Sequence, residues 1–356
     1  MKTQADSNSH ILYRIATAFV IIFILISCEP FTTATPETNP SQTGPITQSA
    51  PSATLEIFQS EYLNPLDTPR TYVEDSCIYL INRWNQLNAK PGTVVMIIMF
   101  NEAILYDFGM IMEQLHNQGF KAINTQQFLT FMERNGRIPS RSVLIIQDNS
   151  HSAEDFDRKF REYWDLWKWP VVNGWVSEPN TPETLWRENA DMENEGWVDH
   201  QSQGVIPGTF LSDDSSKTVI SRELKGSISA FAEQYGKNPL AIIWPGGGFG
   251  IRPAQAARQL GYQLGFTSNS RGPVMYNWVP LADEVDPARP TYIPEGIIKD
   301  PLMTLPRYSQ DQVLDAIDQA RVTGNLAAEF AKKNRAAEFE YYEAVCEPIY
   351  GRMPTP

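Results

Sequence analysis

The chain has 356 residues, 42% hydrophobic and 20% charged, which is apolar enough for a full core and excludes a mostly disordered protein. Its 29 Lys and Arg face 42 Asp and Glu, a net charge of −13 that repels phosphate backbones and excludes a nucleic-acid binder. Three cysteines and four histidines exclude a disulfide-stapled miniprotein and a cysteine-rich zinc module, and they leave few ligands for any metal site.

The chain opens with Lys2 and Arg14 ahead of an apolar run at residues 15–26, broken only by Thr17. The run is short for a membrane span and suits the core of an export signal. Residues 25–28 (LISC) resemble a bacterial lipobox, which implies cleavage before Cys28 and a lipid on that cysteine. The alternative is a plain N-terminal membrane anchor. Either reading places the remainder outside the cytoplasm, on the cell surface or in the periplasm, tied to a membrane. Residues 28–53 are rich in Thr, Pro and Ser, lack Lys and Arg, and show no apolar period. Such a stretch cannot bury enough surface to offset its ordering entropy, and it reads as a flexible linker. Beyond Cys28 only Cys77 and Cys346 remain. Outside the cytoplasm they form a candidate disulfide, with two buried free thiols as the alternative.

Residues 54–92 read as an arm and a helix. The helix starts at Pro69 with Thr68 as its cap, and carries Val73, Cys77, Ile81 and Trp84 on one face. From residue 93 the pattern alternates. Apolar strand runs are expected at 93–100, 121–124, 142–148, 170–176, 196–201, 240–244 and 262–267. Helical patterns are expected at 106–117, 126–134, 153–167, 182–192, 216–235 and 253–260. Near-continuous apolar strands alternating with helices predict a parallel sheet covered by helices, open or closed into a barrel. Residues 308–356 read as a helical extension. Ser309 and Gln312 form a candidate capping box, and a second helix at 326–345 packs on the domain.

In parallel α/β folds the chemistry sits at the carboxyl ends of the strands. Three such ends stand out: 146–151 (IQDNSH), 198–202 (VDHQS) and 244–248 (WPGGG). The glycines of the third do not complete a dinucleotide fingerprint, because Ile251 stands at its last position. They suit a tight turn before a helix. No G-x-S-x-G elbow is present, so a serine hydrolase has no anchor.

In this order the segments resemble polysaccharide deacetylases of the NodB-homology type. Residues 108–139 resemble the family's helix–strand–helix ahead of its first motif. Residues 142–149 (SVLIIQDN) fall at the strand followed by Phe-Asp-Asp-Gly, and 199–202 at His-x-x-x-His. Residues 240–247 (LAIIWPGG) fall at aromatic-Pro-aromatic-Gly, 261–267 at the next strand, and 305–307 (LPR) near the domain end. The resemblance covers residues 93–307. It implies an irregular (β/α) barrel of the polysaccharide-deacetylase (NodB) type, here with N- and C-terminal helical extensions.

The resemblance further implies metal-assisted hydrolysis of an N-acetyl group, with a divalent ion, usually zinc, held by an aspartate and two histidines. Asp148 stands at the general-base position and Asn149 at the metal-ligand aspartate. His200 stands at the first histidine, as a metal ligand or acid, and Gly204 at the second. His151 is a candidate substitute ligand, with a surface loop residue as the alternative. Without a metal neighbour, Asp148 is equally a helix cap near residue 150. The arginine usual in the family's third motif is absent. Trp244, Pro245 and Gly246 are the candidate substrate contacts. Trp164, Trp167, Trp169 and Trp175 read as core.

Two readings follow. One is a hydrolase of N-acetyl groups on an extracellular or peptidoglycan-type glycan. The other is a glycan-binding or envelope module that has lost the metal.

Overall fold

A computed structural model describes residues 58–101, 107–149 and 151–353. The apolar run at 15–26, Cys28 and the linker lie outside the described residues, and no helix among those described is long and apolar enough to cross a membrane.

Among the described residues the strands are β1 (Asp67–Arg70), β2 (Val94–Phe100), β3 (Lys121–Ala122), β4 (Arg141–Gln147), β5 (Val171–Trp175), β6 (Val198–Ser202), β7 (Ala241–Ile243), β8 (Leu264–Phe266), β9 (Val279–Ala282) and β10 (Tyr308–Ser309). The helices are α1 (Ser76–Trp84), α2 (Phe108–Asn117), α3 (Thr125–Arg134), α4 (Ala153–Trp167), α5 (Glu183–Asn194), α6 (Lys217–Gln234), α7 (Ile251–Gln259), α8 (Val313–Tyr341) and α9 (Glu347–Tyr350).

The main sheet runs β10-β2-β4-β5-β6-β7-β8, with β3 beside β4, and its pairings are parallel. Residues 305–309 join its two edges. Leu305 forms a parallel bridge to Phe266 of β8, and Tyr308 and Ser309 pair with Ile98 and Met99 of β2. That short segment curls the sheet shut, and the architecture is the irregular (β/α) barrel that the resemblance implies.

Side-chain parity then sorts the core. Val95, Ile97, Leu144, Ile146, Val172, Ile243 and Phe266 gather with Phe128 and Met132 of α3 in one buried cluster, the barrel interior. The alternate positions Val94, Met96, Ile98, Val143, Ile145 and Val171 pack outward against α2, α4 and α8. Strands buried on both faces explain why they read as unbroken apolar runs. Each fully buried aliphatic or aromatic side chain contributes about 1.5–3 kcal/mol.

Two expectations are corrected. No helix starts at Pro69. Residues 67–70 form β1, antiparallel to β9, with Pro69 opposite Pro280. Proline is tolerated because a two-stranded ribbon leaves one side of each strand unpaired. The Asp67 carboxylate pins this strand, accepting from Arg271 at 3.2 Å and Arg289 at 3.1 Å. Burial outweighs these cations and raises its pKa to about 6. The helix begins at Ser76 instead, capped by Asp75, whose carboxylate accepts from the N–H groups of Cys77 and Ile78. The two C-terminal helical patterns are one helix of 29 residues, because no proline interrupts it. Its Gly324 lies against the Gly92 carbonyl, where a methyl group would come within 2.9 Å. The Ser309–Gln312 capping box is formed ahead of it.

Cys77 and Cys346 are bonded, with Cα atoms 5.4 Å apart. They join α1 to the turn after α8, across 269 positions of sequence.

Candidate functional site

Asp148 directly follows β4. Interior parity through Leu144 and Ile146 carries its side chain to the inside of the barrel mouth, and its N–H donates to the Phe100 carbonyl at 2.8 Å. The segment that closes the barrel brings Arg307 to meet it. Nη1 of Arg307 lies 2.5 Å from one carboxylate oxygen and Nη2 3.2 Å from the other. Nε donates to the Thr267 carbonyl at 2.6 Å, so the guanidinium is held from behind and presents its fork to Asp148. Asn149 takes left-handed backbone at φ +68, and its N–H donates to the Gln203 side-chain oxygen at 2.6 Å.

These groups line a cavity of about 230 Å³. Its polar wall carries Asn101, Asp148, Asn149, Gln203, Ser268 and Arg307, and its apolar wall Met99, Val176, Trp244 and Pro245. Asp148 and Arg307 cancel in charge. What remains is amide, hydroxyl and apolar surface, a set that can hydrogen-bond sugar hydroxyl or acetamido groups from two sides.

Asp148, Asn149, Trp244, Pro245 and Gly246 are therefore brought to one cavity. Trp244 borders it from an unexpected side. Its indole packs in the layer under α6 and α7, is 1% exposed, and donates from Nε1 to the Met303 carbonyl at 2.8 Å. It offers no open face for a sugar ring. The expected cap role of Asp148 goes to Ser152, which accepts from the Asp155 N–H at the start of α4.

His200 is not brought to Asp148. In β6 it pairs with Asn173, while Asp199 pairs with Val172 of the interior cluster. Parity therefore turns His200 outward, into the helical layer. It is fully buried there, 2.8 Å from Glu193 through Nδ1 and 2.8 Å from the Asn189 side-chain oxygen through Nε2. Both partners are oxygen acceptors, which a protonated ring satisfies together. Burial works against that charge and draws the imidazole below its ordinary value, opposed by the Glu193 hydrogen bond. Burial would raise the Glu193 carboxylate, but His200 and Lys237 overcome it and hold it below its ordinary value. His151 is also buried. Its Nε2 lies 2.9 Å from the backbone carbonyl of Asp148, and it does not line the cavity.

Position 204 is closed to a ligand by more than its residue type. Gly204 takes φ +87, and a Cβ there would sit 2.8 Å from Glu223 Oε2 and 2.9 Å from Pro245 Cγ. Glu223 is fully buried, accepting the N–H groups of Val205 at 2.7 Å and Ile206 at 3.0 Å. A buried carboxylate that anchors the following loop occupies the place where a second histidine would project.

The residues present therefore do not fit a zinc ion. Both Asp148 oxygens are taken by a cation, Asn149 brings no charge, and His200 faces the other way. Among the described residues, no group of three or more His, Cys, Asp or Glu could share a metal.

Two contributors escape the motif reading. Arg307 stands in a segment recognised only as the domain end, and its contact with Asp148 is set by the closure of the sheet. Gln203 follows β6 on the interior parity, a signal that counting inward positions from Asp199 supplies.

No family model matches the chain, and no curated protein matches it. Among solved structures it is similar to a Streptococcus pyogenes deacetylase, PplD, in complex with acetate, at 16% identity and a TM-score of 0.49, over 64% of this chain and 99% of that one. It is also similar to the deacetylase domain of BpsB from Bordetella bronchiseptica, at 15% identity and a TM-score of 0.44, over 61% and 96%. IcaB from Ammonifex degensii aligns at 12% identity and a TM-score of 0.47, over 65% and 98%.

Proposed function

We propose that the chain is a glycan-binding domain of the polysaccharide-deacetylase type, held outside the cytoplasm by a lipid on Cys28, that takes an N-acetylated sugar into the mouth of the barrel without a resident metal. The order of motifs from residue 93 to 307 supports the ancestry. The observation that carries the binding reading is the missing ligand set: Asn149 is neutral, Gly204 has no room for a side chain, and His200 faces outward. The carboxylate at the general-base position is engaged by a buried guanidinium, 2% exposed, in a cavity whose other polar groups are neutral amides and a hydroxyl. Each carboxylate oxygen keeps a lone pair beside the guanidinium, but without a ligand set to hold a water-activating metal it has no acidified proton to take. As a fixed pair it instead offers an oriented acceptor and an oriented donor edge to one sugar residue.

The test measures zinc content, acetate release from N-acetylglucosamine oligomers, and binding of the same oligomers by calorimetry. The expected outcome is binding with no acetate released, unchanged by added zinc or chelator. Acetate release that chelator abolishes would overturn the reading in favour of a hydrolase. An absence of binding would remove the glycan from it.

A further inference from the structure

Trp244, the expected sugar platform, is sealed inside the outer layer, yet another aromatic stands open at the same rim. Phe210 is 53% exposed. A lone exposed aromatic means little by itself, but the seat of this one is built. A methyl group at Gly248 would lie 2.6 Å from its Cγ and Cδ2, so the ring rests directly on the Gly248 backbone. Its Cδ2 reaches within 3.9 Å of a methyl group placed at Gly246, which lines the cavity. Gly208, two residues before it, lines the cavity as well.

The loop that carries the ring is fixed at both ends. Behind it, the buried Glu223 carboxylate accepts the N–H groups of Val205 and Ile206. Ahead of it, Asp213 accepts from the Arg252 N–H at 2.7 Å and from the Arg252 guanidinium through its carbonyl. The segment is therefore preorganised, and little ordering entropy is lost when a ligand settles on it.

We propose that Phe210 is the stacking platform of a second sugar subsite, which takes the ring next to the one in the cavity, so that the domain reads an extended N-acetylated chain rather than a single sugar. The chemistry is the apolar C–H face of a pyranose laid on an aromatic ring. This rests on the glycan reading of the cavity, and the experiment separates the two.

Calorimetry on the full-length chain would compare N-acetylglucosamine with its β-1,4-linked tetramer, for the wild type and for Phe210→Ala, Phe210→Leu and Phe210→Trp. The wild type is expected to bind the tetramer more tightly than the monomer. Phe210→Ala and Phe210→Leu should weaken tetramer binding roughly three- to tenfold, the worth of one aromatic contact, and leave the monomer unchanged. Phe210→Trp should retain tetramer binding. Equal tetramer affinity in Phe210→Ala and wild type overturns the subsite, as does a wild type that does not distinguish tetramer from monomer. Loss of monomer binding in the Leu variant, which keeps apolar bulk on Gly248, would make Phe210 part of the cavity and overturn a separate subsite. A wild type that binds neither sugar overturns the cavity reading itself.

Discussion

Two charged clusters lie on opposite sides of one barrel wall. Inside the mouth, Asp148 meets Arg307 beside a cavity. Outside, His200 and Lys237 share the Glu193 carboxylate beneath the helices. The outer cluster holds the histidine and the carboxylates of a catalytic toolkit, and the inner one holds the access. The difference teaches that in a strand the face matters as much as the residue type. A shift of one position exchanges the two sides of the wall, and a histidine one step out of phase serves packing instead of chemistry.

The comparison is broken most severely at Arg307. Arg307→Ala leaves Asp148 without its partner in a largely enclosed mouth. It is expected to cost about 3 kcal/mol in urea unfolding and to abolish sugar binding. Arg307→Lys keeps the charge without the fork and should fall between. Unchanged sugar affinity in both would remove the pair from the site.

A smaller effect belongs to the outer cluster. Glu193→Gln should lower stability at neutral pH by about 1–2 kcal/mol and leave sugar binding untouched. Because Glu193 is held below its ordinary value of 4.5, its stabilisation is present above that pH and is lost as the pH falls through and below it. Unfolding between pH 5 and pH 3 should show part of the wild-type acid loss missing in the variant, while between pH 7 and 5 the variant should lose more, because His200 no longer has the carboxylate that raises it. Asp67 works in the opposite sense between 3.8 and about 6 and is common to both proteins, whereas His200, held below 6.5, titrates with Glu193, so the comparison reads the Glu193–His200 pair as a unit. A drop in sugar affinity would mean that the two sides of the wall are coupled.

The smallest effect is the most pointed. Asn149→Asp restores the carboxylate at the motif position and is expected to bring no zinc with it. Gly204 has no room for a side chain, and His200 faces outward. Stoichiometric zinc by metal analysis would show that the mouth rearranges to build a site.

The barrel strands are legible in sequence because they are buried on both faces and read as apolar runs. β1 is not, since Asp-Thr-Pro-Arg carries no apolar pattern and is held by β9, the buried Arg271 and the half-buried Arg289. β10 has only two residues, and nothing local announces that it closes a barrel. Of the site, Asp148 is legible because it ends an apolar strand. His200 misleads because β6 has one apolar residue, Val198, too few to show parity, and only the register against β5 settles which way it faces. Arg307 lies 159 positions from Asp148, a distance no local pattern spans.

The bond between Cys77 and Cys346 turns the barrel into a covalent ring. Tension between the two ends of the chain can peel β1 and the strand–helix connection, and there it stops. At Cys77 the load passes through sulfur to the far end of α8 and bypasses the parallel strands. A protease that nicks a loop between the two cysteines likewise leaves both pieces attached. Under tension between the two chain ends, the parallel strands are thereby kept out of the line of force.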